Sequence, residues 1–398
     1  MVMKNNGITE YFTEVETEQE YKGYFYSVAQ ALTIFILGSL CGLKNISQIH
    51  QWAVSAKVSE FLKEEFEIKR IPCYYWLLKL LQLVKTDSLN EYFKKWVQTM
   101  IPEDMVIEPS KDGKTSTFAI RPMTIALDGK TIRSTEKMEE YESPLHVVSA
   151  QLAELGLTFA QKAVEDKSNE IPTVQSLLQE LEISGCMIVA DALNCQKATA
   201  DIIVKKKADY LLVVKGNQGR IYDDIKTDVQ EHEDKFQKAV TEEKNRGRIE
   251  TRIGYVSSEE GIIKDIGLWP KLTCFGAICR RVQRRKKGSE EWGVSEEWHY
   301  YISSRNITAE ELLHHARMEW SVESMHWLLD VHFGEDFCRI ADKNGQKNLN
   351  ILRKSALNLV KSYKLKYDPK RPISKIMFDC LLEPKYISKI IPFGSETP

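Results

Sequence analysis

Between Met123 and Phe236 the apolar residues fall into an order that few folds can accommodate. "MTIALDG", "LHVVSAQLA" and "LTFAQKAV" are short runs rich in residues that suit a pleated surface, and read as strands. A helical pattern follows in "IPTVQSLLQELE". Then come a strand in "CMIVADA", a helix in "NCQKATADIIVKKK", a strand in "YLLVV" and a helix in "GRIYDDIKTDVQEHEDKF". The order β-β-β-α-β-α-β-α predicts a meander that continues into alternating helices and strands. Such an order gives a mixed sheet with helices on both faces.

The ribonuclease-H-like fold uses this order, and in it the first and fourth strands are neighbours. The predicted class is therefore α+β, mixed: a helical N-terminal domain, then a ribonuclease-H-like α/β core with a β-rich insertion. Residues 1–105 carry helical patterns. "NISQIHQWA" and "DSLNEYFKKWV" each begin at an Asn or Asp suited to cap a helix. The core's first part spans 120–240. "GRIETRIGYVSS", "LTCFGAICRRVQ" and "WHYYISS" predict strands in an insertion over 241–305. The core's C-terminal helices span 306–365, opening on a capping box at Thr308 and Glu311, and a basic tail covers 366–398.

Charge narrows the partners by its distribution, because 55 basic residues nearly cancel 57 acidic ones. From Arg339 onward 13 Lys and Arg stand against 5 Asp and Glu, a local balance of +8. "RRVQRRKK", from Arg280 to Lys287, forms a second basic cluster. Such patches suit phosphates without base readout, although a solvated face has the same composition. The eight cysteines include no Cys-x-x-Cys pair, which argues against a zinc site and fits a reducing cytoplasm. The acidic N-terminus lacks the apolar stretch of a signal peptide. Gly23 to Leu43 carries no charge over 21 residues, but Ser27, Gln30, Gly38 and Ser39 dilute it. It predicts a buried helix, with no membrane partner.

Two aspartates end predicted buried strands: Asp128 in "IALDGKTIRS" and Asp191 in "MIVADALNCQ". An ionised carboxylate there is costly unless paired or bound to a metal. Each alone also reads as an ordinary turn or helix-cap residue. On neighbouring strands, however, the two could share a hard divalent cation. A third acid would complete a site for two ions about 3.5–4 Å apart, which clamp both oxygens of a phosphoryl displacement. "EWSVESMHWLLDVHFGEDFCRI" supplies candidates. On a helix Glu323, His326, Trp327 and Asp330 share one face, and Glu319 lies a turn earlier. Spacing alone leaves Glu319, Glu323 and Asp330 all open, and plain packing accounts for the aromatics.

"LDGKTIRS", "LHVVSAQ", "DKSNEIPTVQSLLQ", "VADALNCQK", "ADYLLVVKGNQ", "GRIETR" and the Glu319 stretch resemble the successive blocks of insertion-sequence transposases of the ISAs group, which include the H-repeat-associated proteins. "LGSLCGLKNISQIHQWA" is similar to the family's associated helical domain, a candidate DNA-binding module. The likeness runs from about residue 10 to 365. It implies a DDE transposase whose catalytic and metal-binding acids are Asp128, Asp191 and Glu323. Two Mg²⁺ or Mn²⁺ ions would support cleavage of transposon-end DNA and strand transfer into target DNA. Lys130, Arg133, Lys215, Asn217, Arg248 and Arg252 are candidates for gripping double-stranded DNA, with Trp320, His326 and Trp327 for stacking on an unpaired base. A homodimer assembled on DNA and a cytoplasmic, nucleoid-associated location go with that reading. A DNA-binding relative without cleavage, or a nuclease without strand transfer, are the alternatives. The chain departs from related transposases at two places. Glu319 stands where many carry Arg or His, and Asp330 where the wider superfamily has Lys.

Overall fold

A computed structural model describes residues 7–19, 26–102, 106–107, 119–120, 123–133, 144–164, 169–245, 247–264, 266–285 and 292–391. The N-terminal part is helical: α1 (Gly7–Glu10), α2 (Val28–Leu40), α3 (Ile46–Ala53), α4 (Ala56–Phe66), α5 (Tyr74–Leu83) and α6 (Thr86–Gln98). Two short strands, β1 (Val106–Ile107) and β2 (Ala119–Ile120), pair antiparallel. The predicted block follows as β3 (Thr124–Thr131), β4 (His146–Leu152), β5 (Leu157–Val164), α7 (Glu170–Glu180), β6 (Met187–Ala190), α8 (Lys197–Lys205), β7 (Asp209–Val214) and α9 (Arg220–Glu231). Four long strands come next: β8 (Gln237–Asn245), β9 (Arg248–Ser257), β10 (Cys274–Arg285) and β11 (Trp292–Ser303). The chain closes with α10 (Ala309–Glu319), α11 (Ser321–Phe333), α12 (Lys343–Tyr367), α13 (Ile373–Leu382) and α14 (Ile387–Ile390).

Strands β3 to β11 form one mixed sheet in the order β5-β4-β3-β6-β7-β11-β10-β9-β8. The first and fourth strands of the predicted block, β3 and β6, are parallel neighbours, as the element order requires. β6 pairs parallel with β7, and β11 returns antiparallel to β7. The insertion strands therefore extend the same sheet. β8 has no counterpart among the predicted strands, because "QKAVTEEKN" lacks an apolar alternation. Among the described residues it is the last strand of the sheet and pairs with β9 alone, so it needs no continuous buried face.

The chain divides into two compact units. One comprises Met1–Pro102, Gly129–Glu170 and Glu323–Pro398. In it α2 is buried along nearly all its length behind a capping box of Ser27 and Gln30. Within the uncharged segment Val28–Leu40 is a 13-residue core helix, and among the described residues no helix is long and apolar enough to cross a membrane. α12 packs against α2, α5, α6 and β5 and buries an unusual polar set: Asn348, Asn350, Arg353, Lys354 and Asn358. Asn45 caps α3 as expected, whereas Asp87 falls inside the first turn of α6.

The other unit comprises Glu103–Asp128 and Ile171–Val322. Thr124–Leu127 of β3, with β6 and most of β7, are buried here because successive positions are largely apolar on both faces. Gly276 in β10 has no room for a side chain: a Cβ there would lie 2.3 Å from the Tyr255 carbonyl oxygen. The Thr308–Glu311 capping box starts α10 as predicted. α10 stops at Trp320 and α11 begins at Ser321, so Glu319 does not share a continuous helix with Glu323. That break corrects the single-helix expectation for this stretch. The eight cysteines are free thiols.

Candidate active site

The strand register brings two of the predicted acids side by side. Thr124 to Leu127 of β3 pair with Met187 to Ala190 of β6, in parallel and in step. Asp128 and Asp191 are the next residue on each path, on strands about 4.8 Å apart. Both are half-buried, at the point where each apolar run ends. Asp191 Oδ1 accepts hydrogen bonds from the Asn194 backbone N–H at 3.1 Å and side-chain amide at 3.0 Å. Such an Asx-type turn fixes the carboxylate's orientation.

The turn after Asp191 is braced from the loop after β7. Asn217 Nδ2 donates to the Ala192 carbonyl at 2.8 Å, and Gln218 Nε2 to the Cys195 carbonyl at 2.5 Å. Burial, followed by the nearby Asp191 charge, pushes the Cys195 thiol up to about 12, so it stays protonated. Asn217, expected on DNA, thus spends its amide on protein backbone, while Lys215 beside it is exposed. The bracing by Gln218 and the anchoring by Asn194 carry no spacing signal of their own.

In the other unit Glu323 lies in the first turn of α11 and is exposed. Lys130 is not open to solvent: its side chain is 13% exposed, and Nζ pairs with Asp330 and, at 2.8 Å, with Glu335 Oε2. Nζ also reaches the His326 carbonyl at 3.4 Å. Burial works against the ammonium, but Glu335 and Asp330 hold its pKa above the ordinary lysine value. Arg133 is exposed, and its backbone N–H donates to Asp336 at 3.3 Å.

The three expected stacking residues diverge. Burial drives His326 down to about 3, with Lys354 and Lys130 adding to it, so the ring is neutral and largely enclosed. Trp320 has Arg252 and Arg280 over its ring, at 5.3 and 5.7 Å. Trp327 is the exposed one, at 58%.

A basic sheet face completes the inventory of the second unit. In register, Arg252 lies opposite Arg280 and Arg248 opposite Arg284, which puts all four on one face. Glu250, nearly buried between them, pairs with Arg248, with Arg252 and, at 2.8 Å, with Arg280. Arg248 and Arg252 are therefore partly neutralised. An open groove of about 420 Å³ beyond them is lined by Arg280, Val282, Arg284, Arg285 and Gly293 to Ser295. Lys286 and Lys287 lie outside the described residues.

The transposase DDE domain family profile matches residues 121–359, and the profile of its associated N-terminal domain matches 9–97. The chain belongs to the DDE transposase family. Among similar relatives of this transposase is "Putative transposase YncI" of Escherichia coli O157:H7. It is 36% identical over 273 residues, covering 65% of this chain and 67% of the relative. "H repeat-associated putative transposase YhhI" of Escherichia coli K12 is 29% identical over 352 residues, covering 85% and 87%. "Putative protein YbfL" of the same strain is 31% identical over 77% of this chain and 78% of its own. A solved piggyBac transposase synaptic complex with hairpin DNA has a TM-score of 0.43 at 8% identity, over 99% of this chain and 79% of that one. That is too distant to bear on the fold.

Among the described residues, no three His, Cys, Asp or Glu side chains come together as a metal-holding group. The Asp128–Asp191 pair nevertheless has the right chemistry for a hard cation. Its donors are carboxylate oxygens, and Asp191 Oδ2 accepts no hydrogen bond among the described residues.

Proposed function

We propose that this family member is an active, metal-dependent transposase that cuts double-stranded DNA at transposon ends and joins the freed end to target DNA. The carrying observation is the parallel, in-step pairing of β3 and β6, which sets Asp128 beside Asp191. Strand order supports a ribonuclease-H-like core over β3 to β7, since β5-β4-β3-β6-β7 is the meander followed by two parallel additions. On this reading the notional segments 120–240 and 306–365 make that core, 241–305 its insertion, and 1–105 an associated helical domain.

Asp128, Asp191 and Glu323 would hold Mg²⁺ or Mn²⁺, which when bound lowers the pKa of attacking water and stabilises the leaving oxygen. The protein's own work is positional. Asn194 and the Asn217–Gln218 turn hold Asp191 and its loop, while the first turn of α11 presents Glu323. Lys215, Arg133 and the Arg284–Arg285 end of the groove offer cations to phosphates, and Trp327 offers an exposed ring to an unstacked base. DNA bearing two ends would be engaged by two copies of the chain.

Incubation with Mg²⁺ and a supercoiled plasmid carrying matched element ends tests the reading. Joined product is expected from the wild type. Asp128→Asn, Asp191→Asn and Glu323→Gln should each abolish cutting while DNA binding persists. Cleavage without joining would make the protein a nuclease, and binding without cleavage a DNA-binding relative. Robust Mg²⁺-dependent cutting by one variant would remove that residue from the site.

A further inference from the structure

Lys130 sits two residues beyond Asp128 on the same strand, so their side chains leave β3 on the same face. Its partners lie on other elements of its own unit. Asp330 and the His326 carbonyl belong to α11, the helix that carries Glu323 in its first turn. Glu335 belongs to the short turn Glu335–Phe337 after it. Glu335 is 1% exposed, and its other oxygen accepts from Asn350 Nδ2 of α12 at 2.5 Å. One ammonium therefore ties the end of β3 to α11 and, through Glu335, to the central helix α12.

The opposite face of β3 is held as well. A Cβ on Gly129 would lie 2.6 Å from His146 Nε2 and 2.8 Å from Glu170 Cδ, so the backbone rests directly on that pair. His146 Nε2 and Glu170 Oε2 are themselves 2.9 Å apart, and Thr131 Oγ1 bonds the other ring nitrogen at 2.8 Å. The strand is pinned from both sides immediately after Asp128. A lysine placed for phosphate would not be enclosed between two carboxylates, which repel the phosphate and already satisfy the cation.

We propose that Lys130 is a positioning residue: with Asp330 and Glu335 it locks the strand that carries Asp128 to the helix that carries Glu323, and it does not contact DNA. The inference rests on the transposase reading for what those acids do.

Three measurements on the full chain test it. These are Mn²⁺ binding without DNA, the salt dependence of DNA binding without metal, and Mn²⁺-dependent end cleavage. Lys130→Met leaves two enclosed carboxylates unpaired and can unfold the unit. The neutral triple variant Lys130→Met, Asp330→Asn, Glu335→Gln keeps the volumes and removes the unpaired charge, and therefore carries the test. The triple variant should melt near the wild-type temperature, and its half-saturating Mn²⁺ concentration should rise about tenfold or more. Cleavage should fall with it at limiting Mn²⁺, while the slope of log affinity against log salt stays unchanged. Unaltered Mn²⁺ binding would overturn the proposal. So would a salt slope shallower by about one unit, the mark of a lost phosphate contact. A wild type that binds Mn²⁺ yet cuts no DNA would refute the transposase reading, while the Mn²⁺ comparison would still judge the clamp. A wild type that binds no Mn²⁺ would refute the clamp too, since it would have no ion to serve.

Discussion

Replacing Lys354 by Met should reverse the sign of its effect on stability between pH 7 and pH 10. Lys354 lies on α12, is 2% exposed, and donates from Nζ to Ser149 Oγ at 2.7 Å. Burial pushes its amine from the ordinary 10.5 down to about 8; Glu335 works in the other direction and Lys130 adds to the lowering. A depressed lysine costs stability wherever the folded protein must carry the charge. That cost is complete below pH 8 and is relieved as pH rises from about 8 toward 10.5, because there the unfolded chain binds the extra proton. A shift of this size corresponds to about 3 kcal/mol at neutral pH. Methionine removes that cost but leaves the Ser149 hydroxyl unpaired, a loss of about 1–3 kcal/mol. At pH 7 the variant should therefore be as stable as the wild type or more stable by up to about 2 kcal/mol. At pH 10 it should be the less stable by up to about 2 kcal/mol, the hydrogen-bond loss less the roughly 0.8 kcal/mol of lysine cost that persists there. Urea unfolding of both proteins at each pH, followed by a probe within this unit, gives the difference directly. Parallel pH profiles would refute the reasoning, since they would mean that Lys354 titrates alike in both states.

On the basic face, Arg284→Ala with Arg285→Ala should make the slope of log DNA affinity against log salt shallower by about two units. Arg281→Ala should barely move it, because that guanidinium is taken by Glu296 at 2.7 Å; equal slopes for all variants would return the groove to ordinary surface. Asn217→Ala should lower end cleavage about tenfold with DNA affinity intact, since it frees the turn after Asp191. Loss of affinity without loss of rate at saturating DNA would make Asn217 a DNA contact instead. Gly276→Ala should destabilise its unit by about 1–3 kcal/mol, because its methyl meets the Tyr255 carbonyl. An unchanged melting temperature would show that β9 and β10 part without strain.

Local pattern was enough for much of this protein. The alternation of "MTIALDG", "CMIVADA" and "YLLVV" with helical stretches determined a β-β-β-α-β-α-β-α block, because side-chain periodicity reports directly on which face is buried. Asn45 and the Thr308–Glu311 box marked helix starts because capping involves residues three apart. Asp128 and Asp191 stood out because a charge at the end of an apolar strand needs a reason. What the sequence could not carry was pairing at a distance. β8 is polar and owes its strand to β9, so no periodicity announces it. The break at Trp320 separates Glu319 from the helix of Glu323, though the apolar spacing runs on without a glycine or proline. In the sequence Lys130 is a candidate phosphate ligand, because a cation near an acid is exposed by default. Only the tertiary structure brings Asp330 and Glu335, 200 residues and more along the chain, to enclose it. Arg280 joins Arg248 and Arg252 on Glu250 only once β9 and β10 align, so how far one carboxylate is shared is a property of the fold and not of the residues.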